Sequence, residues 1–191
     1  MKNIIAAIAI VLGLGVTANA AKFDIKNLEV GMSIVDSIPV GDAGDYYDSS
    51  LGLDIHADYQ LQENLAVGIE TGFFSYSGSK DFVYGGVNYG SLGDASMSYY
   101  GVYGKYMLKP MDFGSKKANV YGIVGLAPYS VVDFSESTAT GYGDIIKLGL
   151  SLGAGASMEV MPQWNVGLQL RYHMVSDFST FAPMLTVGYH F

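Results

Sequence analysis

The chain has 191 residues, half of them apolar but only 15% charged, and it contains 25 Gly, 15 Tyr and no Cys. Its net charge of −8 argues against nucleic acid as a partner, because phosphate binding needs a basic face. Without cysteine, no disulfide framework and no thiolate metal site can form.

In chain order, the first feature is "MKNIIAAIAIVLGLGVTANA". A single Lys2 precedes an uncharged apolar run from Ile4 to Val16, and Ala18-Asn19-Ala20 follows. That is the pattern of a secretory signal peptide with cleavage after Ala20, read through Ala18 and Ala20. The run is shorter than the ~20 residues a membrane-spanning helix needs. Residues 1–20 are therefore expected to be removed, leaving one domain over 21–191. No later apolar run has the length of a transmembrane helix.

From Leu28 onward the hydrophobic period is two almost everywhere, the signature of strands. "LEVGMSIVD" puts Leu28, Val30, Met32 and Ile34 on one face. "LGLDIHADYQL" alternates Leu51, Leu53, Ile55, Ala57, Tyr59 and Leu61 with Asp54, His56 and Asp58. "LAVGIETGF" sets Leu65, Val67, Ile69, Thr71 and Phe73 against Glu70 and two glycines. "YYGVYGKYML" places Tyr100, Val102, Tyr106 and Leu108 opposite Tyr103 and Lys105. "VYGIVGLAPY" is a strand whose facing is ambiguous, with apolar residues on both parities. "IIKLGLSLGAGASMEV" and "WNVGLQLRYHM" alternate long apolar residues with Gly, Ser and isolated charges. The last segment, "PMLTVGYHF", stops on an aromatic. Eight strands of roughly ten residues result, the length a tilted strand needs to cross a bilayer. The connections alternate between long and short, so one end collects the loops and the other the turns and both termini. The segment from Lys109 to Asn119 is too long for that rhythm.

Such alternation fits a soluble barrel with an apolar interior or a membrane barrel with an apolar exterior. The polar face decides. It is rich in Gly, Ser and Ala, whereas a soluble surface carries ~25–35% charged residues. The apolar face is nearly free of charge and has aromatics near its ends, including Tyr59, Phe73, Tyr100, Tyr106, Trp164, Tyr172, Tyr189 and Phe191. This arrangement matches two interfacial aromatic girdles. The expected fold is all-β, a closed antiparallel up-and-down eight-stranded transmembrane barrel.

Taken together, the signal, the eight alternating strands, the loops at one end and the terminal "YHF" resemble the small outer-membrane barrels of Gram-negative bacteria, the OmpA/OmpX type. The resemblance covers the whole mature chain. It implies an outer-membrane location with both termini in the periplasm, contact with membrane lipid and lipopolysaccharide, and a monomer. It also implies that Leu185, Val187, Tyr189 and Phe191 form the signal read by the outer-membrane insertion machinery. Two small barrel families that modify lipid A are enzymes. The deacylase type uses a His with a Ser two residues on and a later Glu. Here His173 has Ser176 three residues on, and no Glu follows Glu159. The chain is expected to be non-enzymatic, with a lipid A-modifying activity as the disfavoured alternative.

Eight strands enclose an interior that side chains can fill. The expected interior charge network is Glu70, Lys105, Arg171, Asp54, His56, Asp58 and Glu159, with Glu29, Lys147, Gln169 and His173 also inward. Glu70 and Lys105 are expected at comparable depth, with Arg171 slightly above. A narrow cation-preferring channel is the alternative use of this acidic lumen. No cofactor or metal is expected, since neither His56 nor His173 lies in a metal-spacing motif. The loops carry Asp42, Asp45, Tyr46, Tyr47, Asp48, Phe82, Tyr84, Tyr89, Asp133, Glu136 and Tyr142. Aromatics beside acids in Gly/Ser-rich loops suit surface recognition or adhesion, with a host or cell-surface ligand that the sequence does not name. Envelope integrity is the other role open to them.

Overall fold

The computed structural model describes residues 23–78, 81–84, 87–91, 93–114, 116–133 and 145–191. Its strands are β1 (Leu28–Pro39), β2 (Ser50–Gln62), β3 (Leu65–Tyr76), β4 (Asp81–Tyr84), β5 (Val87–Ser91), β6 (Ala95–Met107), β7 (Met111–Phe113), β8 (Lys116–Asp133), β9 (Ile145–Met161), β10 (Trp164–Met174) and β11 (Thr180–His190). Hydrogen bonding runs in the order β6-β3-β2-β1-β11-β10-β9-β8, and a β6–β8 pairing closes the ring. All eight of these strands pair antiparallel with their neighbours. Among the described residues no helix is long and apolar enough to cross a membrane, so any crossing is made by strands.

The alternation of the sequence becomes an alternation of inside and outside. On β1, Val30, Met32 and Ile34 are exposed, while Ser33, Val35 and Ser37 are buried. The outer wall is apolar all round: Leu53 and Ile55 on β2, Val124 and Leu126 on β8, Leu148 and Leu150 on β9, Leu168 and Leu170 on β10 are all exposed. Leu168 at mid-strand is 67% exposed. A surface this apolar is stable in lipid, and the closed ring leaves no backbone edge unpaired there. The ambiguous strand is settled by its neighbours. Tyr121, Ile123, Ala127 and Tyr129 of β8 point inward and are buried, while Val124 and Leu126 face out.

The awkward segment after Lys109 folds back as the short strand β7, which pairs Met111–Phe113 with Ala118–Lys116. Gly114 takes φ +63 at that reversal, a conformation glycine adopts without steric cost. On the opposite, loop-bearing end, β4 and β5 form a separate two-stranded hairpin. The strands of β8 and β9 run for 18 and 17 residues. They exceed the ten-residue expectation because their ends extend past the apolar belt.

Small residues inside have a specific use. Five inward ring side chains sit directly across a strand pair from a glycine: His56 on Gly31, Phe74 on Gly52, Tyr103 on Gly68, Tyr99 on Gly72 and Tyr121 on Gly155. A Cβ on Gly72 would lie 2.4 Å from the Tyr99 ring, and one on Gly68 would lie 2.3 Å from that of Tyr103. The Gly-rich inner face is therefore a set of floors on which aromatic rings lie.

Candidate functional site

The lumen has three levels. At the loop end, Val35, Tyr47, Phe74, Tyr76, Met97, Tyr99, Tyr129 and Phe178 belong to one buried cluster. Tyr76 and Phe178 have ring centroids 5.0 Å apart, and Tyr99 and Tyr129 5.1 Å. Two polar contacts lie within it: the Tyr76 and Ser37 hydroxyls are 2.7 Å apart, and Tyr129 Oη is 2.8 Å from His173 Nδ1, while His173 Nε2 is buried without a hydrogen-bond partner among the described residues. This is a largely apolar plug of buried rings.

Below it lies a layer of charge. Arg171 on β10 forms an ion pair with Glu70 on β3 across the lumen, both almost fully buried. Oriented with its amide nitrogen toward Tyr121, Gln169 donates to that phenol oxygen at 3.2 Å, and its carbonyl accepts from Arg171 at 3.1 Å. Asp54 accepts from Tyr99 Oη at 2.8 Å and lies 3.0 Å from His56 Nδ1. Asp58 accepts from both Tyr103 Oη and Lys105 Nζ. The Lys105 ammonium stands 4.8 Å from the Tyr121 ring centre, a cation–π contact.

At the turn end the lumen opens into a cavity of about 720 Å³, lined by Glu29, Asp58, Lys105, Lys116, Glu159, Asn165 and His190 among others. Glu29 accepts from Asn165 Nδ2 at 2.7 Å. The lumen is thus wet and polar at one end and packed with rings at the other.

Several expected placements differ. Lys105 does not share a level with Glu70. The β3–β6 register sets Glu70 against Gly101 and Lys105 against Ala66, four residues nearer the turns, so Lys105 meets Asp58 and Glu70 is left to Arg171. Glu159 is exposed at the mouth, outside the buried network, because its strand has reached the turn end there. Lys147 pairs with Asp177 at 2.6 Å at the loop end, away from the central layer. Tyr47 is a buried member of the plug, tilted against Phe178 at 5.4 Å, and Tyr46 packs on the same cluster. The short 3₁₀ segment Gly41–Asp45 precedes both residues; Tyr47 is withdrawn from solvent, and Tyr46 is partly buried. Asp45 and Asp48 are exposed. Asp42 lies in that segment, Phe82 and Tyr84 in β4, Tyr89 in β5 and Asp133 at the end of β8; their side chains fall outside the described part. Glu136, Tyr142, Ala18 and Ala20 lie outside the described residues.

The final strand pairs with β1 from Glu29↔His190 to Pro39↔Thr180. Leu185, Val187 and Phe191 face outward. Tyr189 lies between Trp164 and Phe191 with centroids 5.2 and 5.0 Å away, and its hydroxyl donates to Gln163 Oε1 at 3.0 Å. This is a compact aromatic rim at the turn end. Sequence reasoning set Tyr103 on the inward face with Lys105 but gave it no role, and it missed the inward tyrosines 99, 121 and 129 and the partner role of Asn165. Tyr99 shares the parity of Tyr103 and Lys105 on its strand, which was the available signal for it.

A closed ring with an apolar outer wall, aromatic rims and buried ion pairs defines an integral membrane protein that crosses lipid with strands. Residues 6–191 match the outer membrane protein beta-barrel domain family, and the chain belongs to that family; it is an outer-membrane barrel. Among solved structures, OprG from Pseudomonas aeruginosa is 17% identical, covering 86% of this chain and 94% of that one at a TM-score of 0.59. Neisserial surface protein A is 17% identical over 86% and 97%, with a TM-score of 0.54. Ail of Yersinia pestis, solved with the heparin analogue sucrose octasulfate, is 16% identical over 86% and 96% at 0.50. At these identities the likeness is one of fold. No curated protein sequence matches the chain.

Proposed function

We propose that this chain is a non-enzymatic outer-membrane barrel whose lumen is closed and whose work is done by its loop end, in surface recognition or in holding the envelope together. The observation that carries the reading is the ring-filled upper lumen. Phe74, Tyr76, Tyr99 and Tyr129 are buried there almost completely, and such a core supports a rigid pedestal better than a conduit. β8 and β9 are longer than the roughly 9–11 residues a crossing needs, which suits strands that lift their connection above the bilayer. In this reading both termini are periplasmic, the loop end faces outward, and Leu185, Val187, Tyr189 and Phe191 are the signal for the insertion machinery.

Ail is an attachment protein, and its heparin-analogue complex involves a polyanion. The loops here carry Asp45, Asp48, Asp94, Glu136 and Asp144 against few bases. A cationic or hydroxyl-rich partner suits them better, as do divalent ions bridging the acids to lipopolysaccharide phosphates. Replacing residues 79–92 and 134–144 with Gly/Ser segments tests this. Whole cells carrying the variants are expected to lose host-surface binding, or to become sensitive to detergent and bile salt, with barrel abundance unchanged. Unaltered behaviour in both assays refutes the loop-based role.

A further inference from the structure

At the floor of the turn-end cavity three ligand-type side chains converge. Glu29 on β1 and His56 and Asp58 on β2 each offer a donor atom, and these atoms lie within 4.8 Å of one another. The register places Glu29 directly opposite Asp58 and Gly31 opposite His56, so the cluster is built by strand pairing and not by a loop.

Three independent features surround it. First, His56 Nδ1 lies 3.0 Å from Asp54 Oδ1; with Nδ1 donating to that carboxylate, Nε2 is the ring nitrogen left for a metal. A carboxylate behind the imidazole is the usual way a metal-binding histidine is oriented and made more basic. Second, glycine makes room for the donors. A Cβ on Gly31 would lie 2.4 Å from His56 Nε2, and one on Gly188 would lie 2.7 Å from Glu29 Oε1. These glycines are paired across β1 and β11. Third, the cluster is reachable: Glu29 and Asp58 line the open turn-end cavity, and Glu29 and His56 are only half-buried.

We propose that Glu29, His56 and Asp58 bind one divalent transition-metal cation at the floor of the turn-end cavity. One imidazole and two carboxylates suit Zn²⁺ or its first-row neighbours better than Ca²⁺ or Mg²⁺, which take all-oxygen shells. Metal–ligand bonds of about 2.0–2.2 Å need the three donors to draw together slightly, which the long Glu29 side chain permits. The fourth position faces the cavity, through which the ion and water enter. Asp58 has one partner on each oxygen, and a carboxylate oxygen keeps a second lone pair for a metal. Asn165 holds Glu29 through Oε2, as an orienting contact. The site orders the wet half of the lumen, much as the plug orders the dry half.

The test uses the full barrel, purified in detergent without a histidine tag and stripped with a chelator. Titration with ZnCl₂ in a calorimeter is expected to give one equivalent per barrel, uncompeted by excess Mg²⁺. Glu29→Gln and His56→Gln are each expected to weaken binding at least tenfold. Asp54→Asn is expected to weaken it about 10–100-fold while leaving all three ligands in place. Zn²⁺ should also raise the temperature at which the folded gel band is lost, in the wild type alone. X-ray absorption on the wild type gives a readout independent of variant folding, with one imidazole and otherwise oxygen neighbours expected. A wild type that binds no Zn²⁺ overturns the proposal. So does binding that Glu29→Gln and His56→Gln leave intact, or an absorption spectrum without imidazole.

Discussion

The Glu70–Arg171 pair shows how far a single residue depends on its partner. Removing one member of a buried pair strands the other charge, at a cost of about 3–5 kcal/mol, while replacing both with apolar groups is often neutral. Arg171→Met is therefore expected to lower stability by that amount. A double change with Glu70→Met should recover most of it, as read from urea unfolding in lipid vesicles. Tyr99 over Gly72 is a second such dependence. Gly72→Ala is expected to cost about 1–3 kcal/mol by overpacking. The cost should fall in a Tyr99→Leu background, giving a coupling above ~0.5 kcal/mol in a double-mutant cycle. At this scale the sequence was partly legible. Parity told which charged residues point inward, but not which cation meets which acid. That depends on strand register, which moved Lys105 from the level of Glu70 to that of Asp58. The Glu29–His56–Asp58 cluster was hidden for the same reason, since two adjacent strands contribute it and no linear spacing announces it.

For the strands, the alternation was legible because lipid imposes it: along the middle of the strands the outward residues are mostly apolar. Position along the strand then sets the cost of breaking the rule. Leu168 lies at the middle of β10 and Met161 at the turn end of β9, both exposed. Leu168→Arg is expected to cost about 2–4 kcal/mol and Met161→Arg about 0–1 kcal/mol, again by urea titration in vesicles. Equal costs would mean that the apolar belt is not the membrane-embedded surface. Where the outward constraint was weak, so was the reading. β8 carries apolar residues on both faces because its inner side contributes Ile123, Ala127 and Tyr129 to the filled lumen. The region Lys109–Asn119 looked like a loop because β7 has only three residues, too few for a period to show.

At the scale of the whole molecule, the described lumen is filled with rings at the loop end and opens into a cavity at the turn end. Planar bilayers containing the wild type are expected to show no steady conductance. Replacing Phe74 and Tyr99 together with alanine should thin the plug enough for current to appear; steady wild-type current would instead favour the channel. Deleting Phe191 is expected to reduce the amount of barrel in the outer membrane without reducing synthesis, measured by fractionation and heat-modifiable gel migration. The closed barrel was legible from the number and length of the alternating segments. The division of its lumen into wet and dry halves was not, because it arises from rings and glycines meeting across strands.

Those ring–glycine pairs bear on how the barrel finds its pairing at all. Sliding β6 along β3 by two residues would keep every apolar side chain toward lipid, so the exterior offers no penalty against the error. The interior does. In the native pairing Tyr99 faces Gly72 and Tyr103 faces Gly68. After a two-residue slip, Tyr99 would face Glu70 or Phe74, and Tyr103 would face Ala66 or Glu70. A ring would then strike a side chain where it now lies flat on bare backbone. The glycines thus act as a keyway, admitting one alignment of the strands and rejecting its nearest competitors while the barrel is still zipping shut.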